Sequence, residues 1–239
     1  MKGDIVNGAP DSRIGNFKLR QMVEAEIRET GRGLGMNFDR KFLWGKVPAG
    51  WRIEKLCNLS KYISRGKQPK YVDNSNIKVL NQKAIRWHFI QQGHLKYHDP
   101  NIKVDQKHFI QKDDVVLNST GTGTIGRIYH FMKSPDKIFA DSHVTIIRTD
   151  KEKLNPRFLM YQISDKTYQE FILSSYISGS TGQVEFNKSK VQELPIQLPP
   201  IEEQNAIVSV LSSFDKKIEL NNRINKNLEE MAQAIFQSW

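Results

Sequence analysis

Apolar residues recur at alternating steps of four and three through the last part of the chain, which is the spacing of one helix face. Ile207, Leu211, Phe214 and Ile218 form a first run, and Ile224, Leu228, Met231 and Ile235 form a second. This spacing predicts a coiled-coil-forming helix whose apolar seam needs a partner helix. The residues that we expect at a dimer contact are Phe214, Ile218, Ile224, Leu228, Met231 and Ile235. The alternative is an amphipathic helix that folds back on its own domain.

The start and the continuity of this helix can be predicted as well. Pro199 and Pro200 suit a helix entry, and two glutamates just after them favour the positive end of the helix dipole. A helix should therefore begin near Ile201. The two apolar runs are out of phase around Asn221, and the Ser-Ser pair at 212–213 is typical of a fresh N-cap. The sequence thus favours a short helix followed by a longer one over a single rod.

Upstream, β-branched and aromatic clusters bounded by turn residues predict an α+β domain with a curved mixed sheet. Strands are expected at 77–80, 115–118, 125–131 and 143–149, and a helix is expected at 155–174. Residues 1–16 have the composition of a tail, and 17–30 have helical spacing. The predicted divisions are an N-terminal tail with a short helix (1–46), a globular domain (47–197) and a helical region (198–239).

Charge is distributed unevenly along these divisions. The chain has 36 Lys and Arg against 26 Asp and Glu, a formal net charge of +10. Residues 201–239 hold four of the basic and six of the acidic side chains, so the preceding residues carry 32 basic and 20 acidic. A basic globular face attracts a nucleic acid duplex because each neutralised phosphate releases counterions. The positive charge therefore agrees with a nucleic-acid partner for the globular domain, although many proteins are basic only for solubility.

Composition excludes some classes of protein. Hydrophobic residues make up 38% of the chain, and no apolar run approaches the length of about 20 residues that a membrane span requires. The N-terminus lacks the apolar core of a signal peptide, so a cytoplasmic location is expected. The single cysteine, Cys57, excludes an internal disulfide.

Long stretches of the chain resemble a known family. Residues 198–239, LPPIEEQNAIVSVLSSFDKKIELNNRINKNLEEMAQAIFQSW, resemble the conserved region that closes a target-recognition domain in specificity subunits of type I restriction-modification systems. Further stretches resemble the opening of that domain (VPAGW at 47–51 with Leu56), its central strand and glycine turn (KDDVV at 112–116 and GTGTIG at 121–126) and its late polar loop (SGSTGQ at 178–183). The resemblance covers 47–239.

The resemblance implies sequence-specific recognition of one half of a bipartite target in double-stranded DNA. It also implies docking of a methyltransferase subunit, which would supply the S-adenosylmethionine site, and of a restriction subunit through that complex. This chain would need no cofactor of its own. Typical members carry two recognition domains and two helical regions, whereas these 239 residues resemble a half-length form with one of each. Two copies would then pair as a homodimer through their helices.

Three polar stretches are candidates for DNA contact, because short polar side chains on glycine-rich loops can approach a groove edge. They are 64–71, 81–88 and 118–127. The residues that we expect to contact DNA are Arg65, Lys67, Lys70, Gln82, Lys83, Arg86, Trp87, His88, Thr120, Thr122, Thr124 and Arg127. The alternative for each stretch is a solvated loop, and Trp87 is as compatible with a core position.

Other chemistry is less well supported by the sequence. The 118–127 stretch lacks the Gly-Lys-Ser/Thr ending of a nucleotide-binding P-loop, and the 178–183 stretch is better interpreted as a structural turn. No methyltransferase or nuclease motif is present, so we expect no catalytic residues. His94, His98 and His108 are interpreted as surface histidines and no metal is expected.

Two other functions stay open at this point. One is a coiled-coil assembly protein whose basic domain binds another protein. The other is a recognition domain detached from a restriction nuclease. Binding to random duplex at low salt separates DNA recognition from the first, and cleavage by the chain alone would favour the second.

Overall fold

Ten strands and four α-helices follow one another in residues 48–175 and 185–239, the part of the chain that the computed structural model describes. The strands are β1 (Arg52–Lys55), β2 (Ser60–Arg65), β3 (Tyr71–Val72), β4 (Lys78–Leu80), β5 (Lys96–His98), β6 (Val115–Asn118), β7 (Ile128–His130), β8 (Ile138–Ala140), β9 (Val144–Thr149) and β10 (Pro195–Leu198). The α-helices are α1 (Pro156–Ser164), α2 (Lys166–Ser175), α3 (Lys188–Gln192) and α4 (Ile201–Gln237). Short 3-10 turns lie at Leu56–Leu59, Gln92–His94 and Gln106–His108.

The chain divides into two units, Ala49–Val208 and a second that contains Ser209–Trp239. Within the first unit the strands form two four-stranded sheets, in the orders β2-β9-β6-β7 and β3-β5-β4-β8. A two-stranded sheet pairs β1 with β10. All pairs are antiparallel except β4 with β8, which is parallel. The α+β class is thus confirmed, with the mixed pairing in the second four-stranded sheet.

One hydrophobic cluster joins the two four-stranded sheets. Leu80, Ile138 and Ala140 come from β4 and β8 in one sheet, and Val116 and Ile146 come from β6 and β9 in the other. The strands of the cluster are buried on both faces, as the pattern of β6 and β9 shows. Continuous apolar runs rather than alternating ones are what such doubly covered strands require.

The predicted elements are present with shifted ends. The 115–118 strand has its predicted bounds, whereas the 125–131 strand is reduced to β7 because Gly126 lies at φ 83° inside a turn. The single helix expected at 155–174 is wrong. Asp165 is extended, with ψ 138°, and its carboxylate accepts hydrogen bonds from Thr167 N (2.8 Å) and Tyr168 N (3.3 Å). It therefore ends α1 and caps α2. The 1–46 region and the 178–183 loop lie outside the described residues.

The C-terminal helix begins at Ile201 as predicted, but the expected break near residue 212 is wrong. Helix α4 runs through 37 residues, a length of about 55 Å. Ser212 Oγ donates to Ser209 O (3.1 Å) and Ser213 Oγ donates to Val210 O (2.7 Å). Both hydroxyls are satisfied by carbonyls of their own helix, so neither caps a new one.

A buried amide anchors the start of α4. Gln204 is fully buried; its Nε2 donates to Lys153 O and Pro199 O, both at 2.9 Å, and its Oε1 accepts from Asn155 N at 2.9 Å. Trp51 Nε1 also donates to Oε1 of the preceding helix residue, Glu203, at 2.9 Å. The first turn of α4 is therefore fixed to the loop before α1.

Burial changes along α4. Every residue from 216 to 239 is exposed in the single chain, including Ile224, Leu228, Met231 and Ile235. Phe214 differs, because only 7% of it is exposed. The dimer contact expected at Phe214 stays a prediction, and its ring has little area left to bury against a second copy. None of the helices among the described residues has the length and apolar character that crossing a membrane needs.

Replacing Gln204 tests the anchoring of α4. Gln204→Leu removes the side-chain partner of Lys153 O, Pro199 O and Asn155 N, and one of these hydrogen bonds is buried and two are partly buried, so the free energy of unfolding should fall by about 2–4 kcal/mol. Asn205→Leu is the matched control, because Asn205 is exposed and makes one side-chain hydrogen bond, to Asn155 Nδ2 at 2.8 Å. It should cost about 1 kcal/mol or less. Urea unfolding measures both, and equal losses would contradict the anchoring role.

Candidate nucleic-acid interface

The three predicted DNA-contact loops each begin where a strand ends, and the three strand ends lie side by side. Arg65 at the end of β2 is opposite Thr145, and Asn118 at the end of β6 is opposite Val144. Leu80 at the end of β4 is opposite Ala140. The common neighbour is the Asp141–His143 turn between β8 and β9, where the chain passes from one four-stranded sheet to the other. Strand register therefore brings the 64–71, 81–88 and 118–127 loops together.

The 118–127 loop is a tight glycine turn held from inside. Asn118 is fully buried, and its Nδ2 donates to Gln82 O (2.9 Å) and Thr124 O (3.1 Å). Gly121 lies at φ 99°, a region that side chains avoid, and a Cβ there would overlap the side chains of Gln82 and Thr124. The turn therefore needs glycine at this position, and this packing explains the glycines without a bound nucleotide.

Gln82 links this turn to the 81–88 loop. Thr120 Oγ1 donates to Gln82 Oε1 at 3.1 Å and lies 2.8 Å from His143 Nδ1. Ser119 N donates to His143 O at 2.9 Å. A chain of polar contacts thus runs from the 81–88 loop through the glycine turn to the turn between β8 and β9.

The 64–71 loop is fixed to the same turn. Gly66 N donates to Val144 O (2.9 Å), and Lys67 N donates to Ala140 O (3.0 Å). A Cβ on Gly66 would overlap the carbonyl of Ala140, so only glycine allows this approach. Ser142 Oγ donates to Gln68 Oε1 at 2.8 Å. All three predicted stretches therefore converge at one place.

The Asp141–His143 turn itself was missed by sequence reasoning. Asp141 Oδ1 accepts His143 N at 2.8 Å, and Asp141 N donates to Leu80 O at 3.0 Å. The first contact is the turn that Asp forms with the residue two positions on. An Asp-Ser-His sequence between two apolar strands was the available signal.

Two guanidinium groups come close to each other at this surface. The pKa of Arg127 is lowered, first by burial and then by the charge of Arg86. Arg127 Nη2 donates to Gly123 O at 3.1 Å, whereas its buried Nε and Nη1 have no hydrogen-bond partner among the described residues. Arg86 Nε donates to Gln91 Oε1 at 2.9 Å. Both of these nitrogens of Arg127 are buried, so an anion from outside does not reach them in this conformation.

Three other predicted contact residues have partners within the chain. Arg65 Nη1 lies 2.7 Å from Glu185 Oε1, so this cation is already paired. Thr124 Oγ1 donates to Thr120 O and Gly121 O, both at 3.2 Å, and thereby closes the glycine turn. Lys70 is exposed and its Nζ lies 3.7 Å from a carboxylate oxygen of Asp99.

The remaining predicted residues are accessible. Lys67, Lys83, His88 and Thr122 are exposed, and Thr122 lies within the glycine turn. Trp87 is 39% exposed, so it is not a core residue. No Asp or Glu occurs in the 64–71, 81–88 or 118–127 stretches. Their charge is therefore carried by cations alone.

One of the three histidines that we expected at the surface, His98, has a structural role. His98 is buried, and its Nδ1 accepts from Lys70 N (3.0 Å) while its Nε2 lies 3.0 Å from Ile102 O. Both ring nitrogens are engaged, and the expectation of a surface histidine at this position is wrong. In the described part of the chain no group of three or more His, Cys, Asp or Glu is placed to hold a metal ion.

Comparison with known proteins gives consistent results. The profile described as "Type I restriction modification DNA specificity domain" matches residues 48–230. The HindI specificity subunit of Haemophilus influenzae is 28% identical over 195 residues, which are 79% of this chain and 40% of that protein. The MjaIX specificity subunit of Methanocaldococcus jannaschii is 26% identical over 220 residues, which are 85% of this chain and 49% of that protein.

Solved structures share the fold. The HsdS subunit from Thermoanaerobacter tengcongensis superposes with a TM-score of 0.53 at 19% identity, over 86% of this chain and 48% of that one. A chain from a study of complex assembly and conformational transition of the type I R-M system gives a TM-score of 0.56 at 18% identity, over 91% of this chain and 52% of that one. The chain thus spans about half the length of the curated relatives it matches, with 40% of one and 49% of the other covered.

The turn that joins the three loops gives a pH-dependent prediction. Burial raises the pKa of Asp141 to about 6, against the hydrogen bond from His143 N, which lowers it. The folded protein then holds this proton at a higher pH than the unfolded chain, so the free energy of unfolding falls as pH rises from about 4 to 6. Asp141→Asn cannot ionise. Its stability relative to wild type should therefore increase by about 2–3 kcal/mol across this window.

Asp113→Asn is the control with the opposite sign. Burial raises the pKa of Asp113, but the hydrogen bond and charge of Lys151, with the charge of His130, outweigh burial and lower it overall. The folded Asp113 gives up its proton first, so this variant should lose stability relative to wild type as pH rises from acid through the carboxyl range. Urea unfolding at several pH values measures both. A pH-independent difference for Asp141→Asn would contradict the buried carboxyl.

Proposed function

The chain belongs to the type I restriction modification DNA specificity family, and from this premise we propose that it recognises one half of a bipartite DNA target. The contact surface consists of the 64–71, 81–88 and 118–127 loops around the Asp141–His143 turn. The observation that supports this most directly is the convergence of these three loops, which carry cations and no acidic residue, at that turn. Their exposed cations suit phosphate oxygens, and their polar side chains suit base edges.

The loops divide phosphate contact from base contact. Lys67 and Lys83 are exposed cations that suit phosphates, which fix the position of the protein along the duplex. Gln82 Oε1 is already occupied by Thr120, which leaves the Nε2 group as a donor to a base acceptor. Arg86 suits guanine, and His88 and Thr122 are accessible polar groups for groove edges. Arg65 and Thr124 act by holding the loops rather than by touching DNA.

The proposed role is recognition without catalysis. The chain docks a methyltransferase subunit, which carries S-adenosylmethionine and modifies the adenine, and a restriction subunit joins through that complex. The 47–197 region contacts DNA, and the 198–239 region mediates assembly with the other copies and subunits. The complex acts in the cytoplasm, where the DNA duplex and the methyltransferase are present. The sequence supports this division, because the net positive charge lies before residue 201.

The helix α4 supplies the contact between two copies. At about 100° per residue, Ile224, Leu228, Met231 and Ile235 fall within about 60° of one another on a continuous helix. All four are exposed in the single chain. Ile218 lies about 110° from the middle of this stripe, so it is marginal to the contact. Two such stripes bury each other in a two-fold, like-with-like pairing that sets two DNA-reading units a fixed distance apart.

DNA recognition is tested by selecting duplexes from a random pool with the full chain and titrating the selected duplex. The logarithm of the binding constant should fall linearly with the logarithm of salt concentration, because phosphate contacts release counterions. Arg127→Ala should weaken binding by about 10- to 100-fold. If Arg127 contacts phosphate, the salt slope falls by about 1, and if it contacts a base, the preference at one position is lost.

Arg52→Ala is the control for this experiment, because Arg52 is an exposed arginine on β1 outside the three loops. It should leave the affinity for the selected duplex within about twofold of wild type. Failure of the wild-type chain to bind any duplex at low salt would support the assembly-protein alternative. Metal-dependent cleavage by the purified chain would support the nuclease alternative.

The pairing of two α4 helices is tested by measuring the mass of the protein in solution by sedimentation. Wild type should sediment as a dimer, and Leu228→Glu should raise the dissociation constant at least about 100-fold, because a charge enters the apolar stripe in both copies. Gln233→Glu places the same charge on the opposite face of the helix and should leave the dimer intact. A wild-type chain that sediments as a monomer at high concentration would contradict the pairing.

A further inference from the structure

Residues 84–91, which begin in the 81–88 loop, form a small hairpin whose tip the sequence did not explain. Ile85 and Ile90 form an antiparallel bridge, Gln91 N donates to Ala84 O (2.8 Å) and Arg86 N donates to Phe89 O (3.1 Å). Ala84 and Ile85 are fully buried in the hydrophobic cluster. The base of the hairpin is therefore fixed in the core, and its tip is a rigid projection rather than a loose loop.

Three consecutive ring side chains form that tip. Trp87 is 39% exposed, Phe89 is 55% exposed, and His88 between them is exposed as well. His88 lies at φ 70°, a left-handed conformation that a residue with a side chain seldom adopts. Glycine or asparagine is the usual choice at such a turn position. Exposed aromatic rings and unfavourable backbone at the same tip indicate a contact that the single chain does not contain.

The charge around the tip indicates what kind of partner contacts it. Residues 81–94 include Lys83, Arg86 and two histidines but no Asp or Glu, and the 118–128 segment is also free of acidic residues. Arg127 adds a further cation in the 118–127 loop, which contacts the 81–88 loop through Gln82. A polyanion is attracted to this surface, and rings surrounded by cations are the arrangement that contacts bases next to their phosphates.

We propose that the Trp87–Phe89 tip is an aromatic wedge that enters the base stack of the bound duplex and unstacks one base step. This inference rests on the proposed DNA recognition and adds a way of reading sequence by deformability. Apolar side chains inserted from the groove separate neighbouring base pairs, while the cations at the base of the hairpin hold the flanking phosphates. Pyrimidine–purine steps unstack most easily, so the wedge favours such a step within the target half-site.

The experiment uses the full chain and the selected duplex, without the methyltransferase subunit, so that flipping of adenine by that subunit does not contribute. 2-Aminopurine replaces one adenine at a time, and its fluorescence rises when it loses its stacking partner. Wild type should raise the fluorescence at one step and leave the other positions unchanged. A mismatch placed at that step should increase wild-type affinity about tenfold, because the unstacking is already done.

Variants of the tip separate the wedge from a plain groove contact. The double variant Trp87→Ala with Phe89→Ala should lose the fluorescence change, bind the matched duplex about 10- to 100-fold more weakly and gain nothing from the mismatch. Trp87→Phe retains a ring and should retain the fluorescence change. Arg52→Ala, on β1 outside the three loops, should also retain it and is the control for a change elsewhere on the surface.

The outcomes distinguish the wedge from the DNA recognition on which it rests. Selective binding by wild type without a fluorescence change at any position overturns the wedge and leaves recognition intact. A double variant that binds DNA as wild type but loses the methyltransferase subunit also overturns the wedge, in favour of a protein contact. Absence of any selective binding by wild type overturns both. The wild-type fluorescence and mismatch measurements decide the proposal even where the double variant does not fold.

Discussion

The passage of the chain from one four-stranded sheet to the other, at the Asp141–His143 turn, is the constraint on which the candidate surface depends. The turn is short, so the end of β8 lies next to the start of β9. The two strands belong to different four-stranded sheets. The ends of β2, β4 and β6 pair beside this turn. Three loops from distant parts of the sequence are thereby fixed on one surface, with the buried carboxylate of Asp141 holding the turn through His143 N.

This arrangement separates residues that build the surface from residues that are free to bind. Buried Asn118, the closing hydroxyl of Thr124 and the ion pair of Arg65 with Glu185 hold the loops in place. The cations Lys67 and Lys83 and the rings at the hairpin tip remain exposed. A rigid support beneath accessible groups lowers the cost of ordering on binding, because the loops need not be organised when DNA arrives.

A similar division runs along the helix α4. Its first turn is anchored in the unit Ala49–Val208 through the three hydrogen bonds of Gln204. From residue 216 onward it is exposed in the single chain, and its apolar stripe lies on a continuous rod. The hydrogen bonds of the first turn and the exposed apolar stripe therefore belong to different parts of the same helix.

The sequence by itself determined features that depend on neighbouring residues. The start of the last helix, the apolar stripe, the 115–118 strand and the acid-free basic loops were all predictable, because periodicity, capping and composition are local. The predicted continuity of the helices was wrong at Ser212 and at Asp165, because local signals for and against a helix break compete at these residues. A serine hydroxyl can cap a helix or bond within one, and only the surrounding structure selects between the two.

Only the tertiary structure decided which candidate residues meet and which are free. Asn118 bonds to Gln82 across 36 positions, and Arg65 reaches the backbone of Phe186 across 121. Strand register sets these contacts, and a shift of one residue would turn the side chains to the opposite face. The same reasoning explains why Trp87 could not be assigned, since a tryptophan in a short apolar segment suits a core as well as a hairpin tip. Burial is a property of the whole fold, so it could not be read from the neighbours of Trp87 alone.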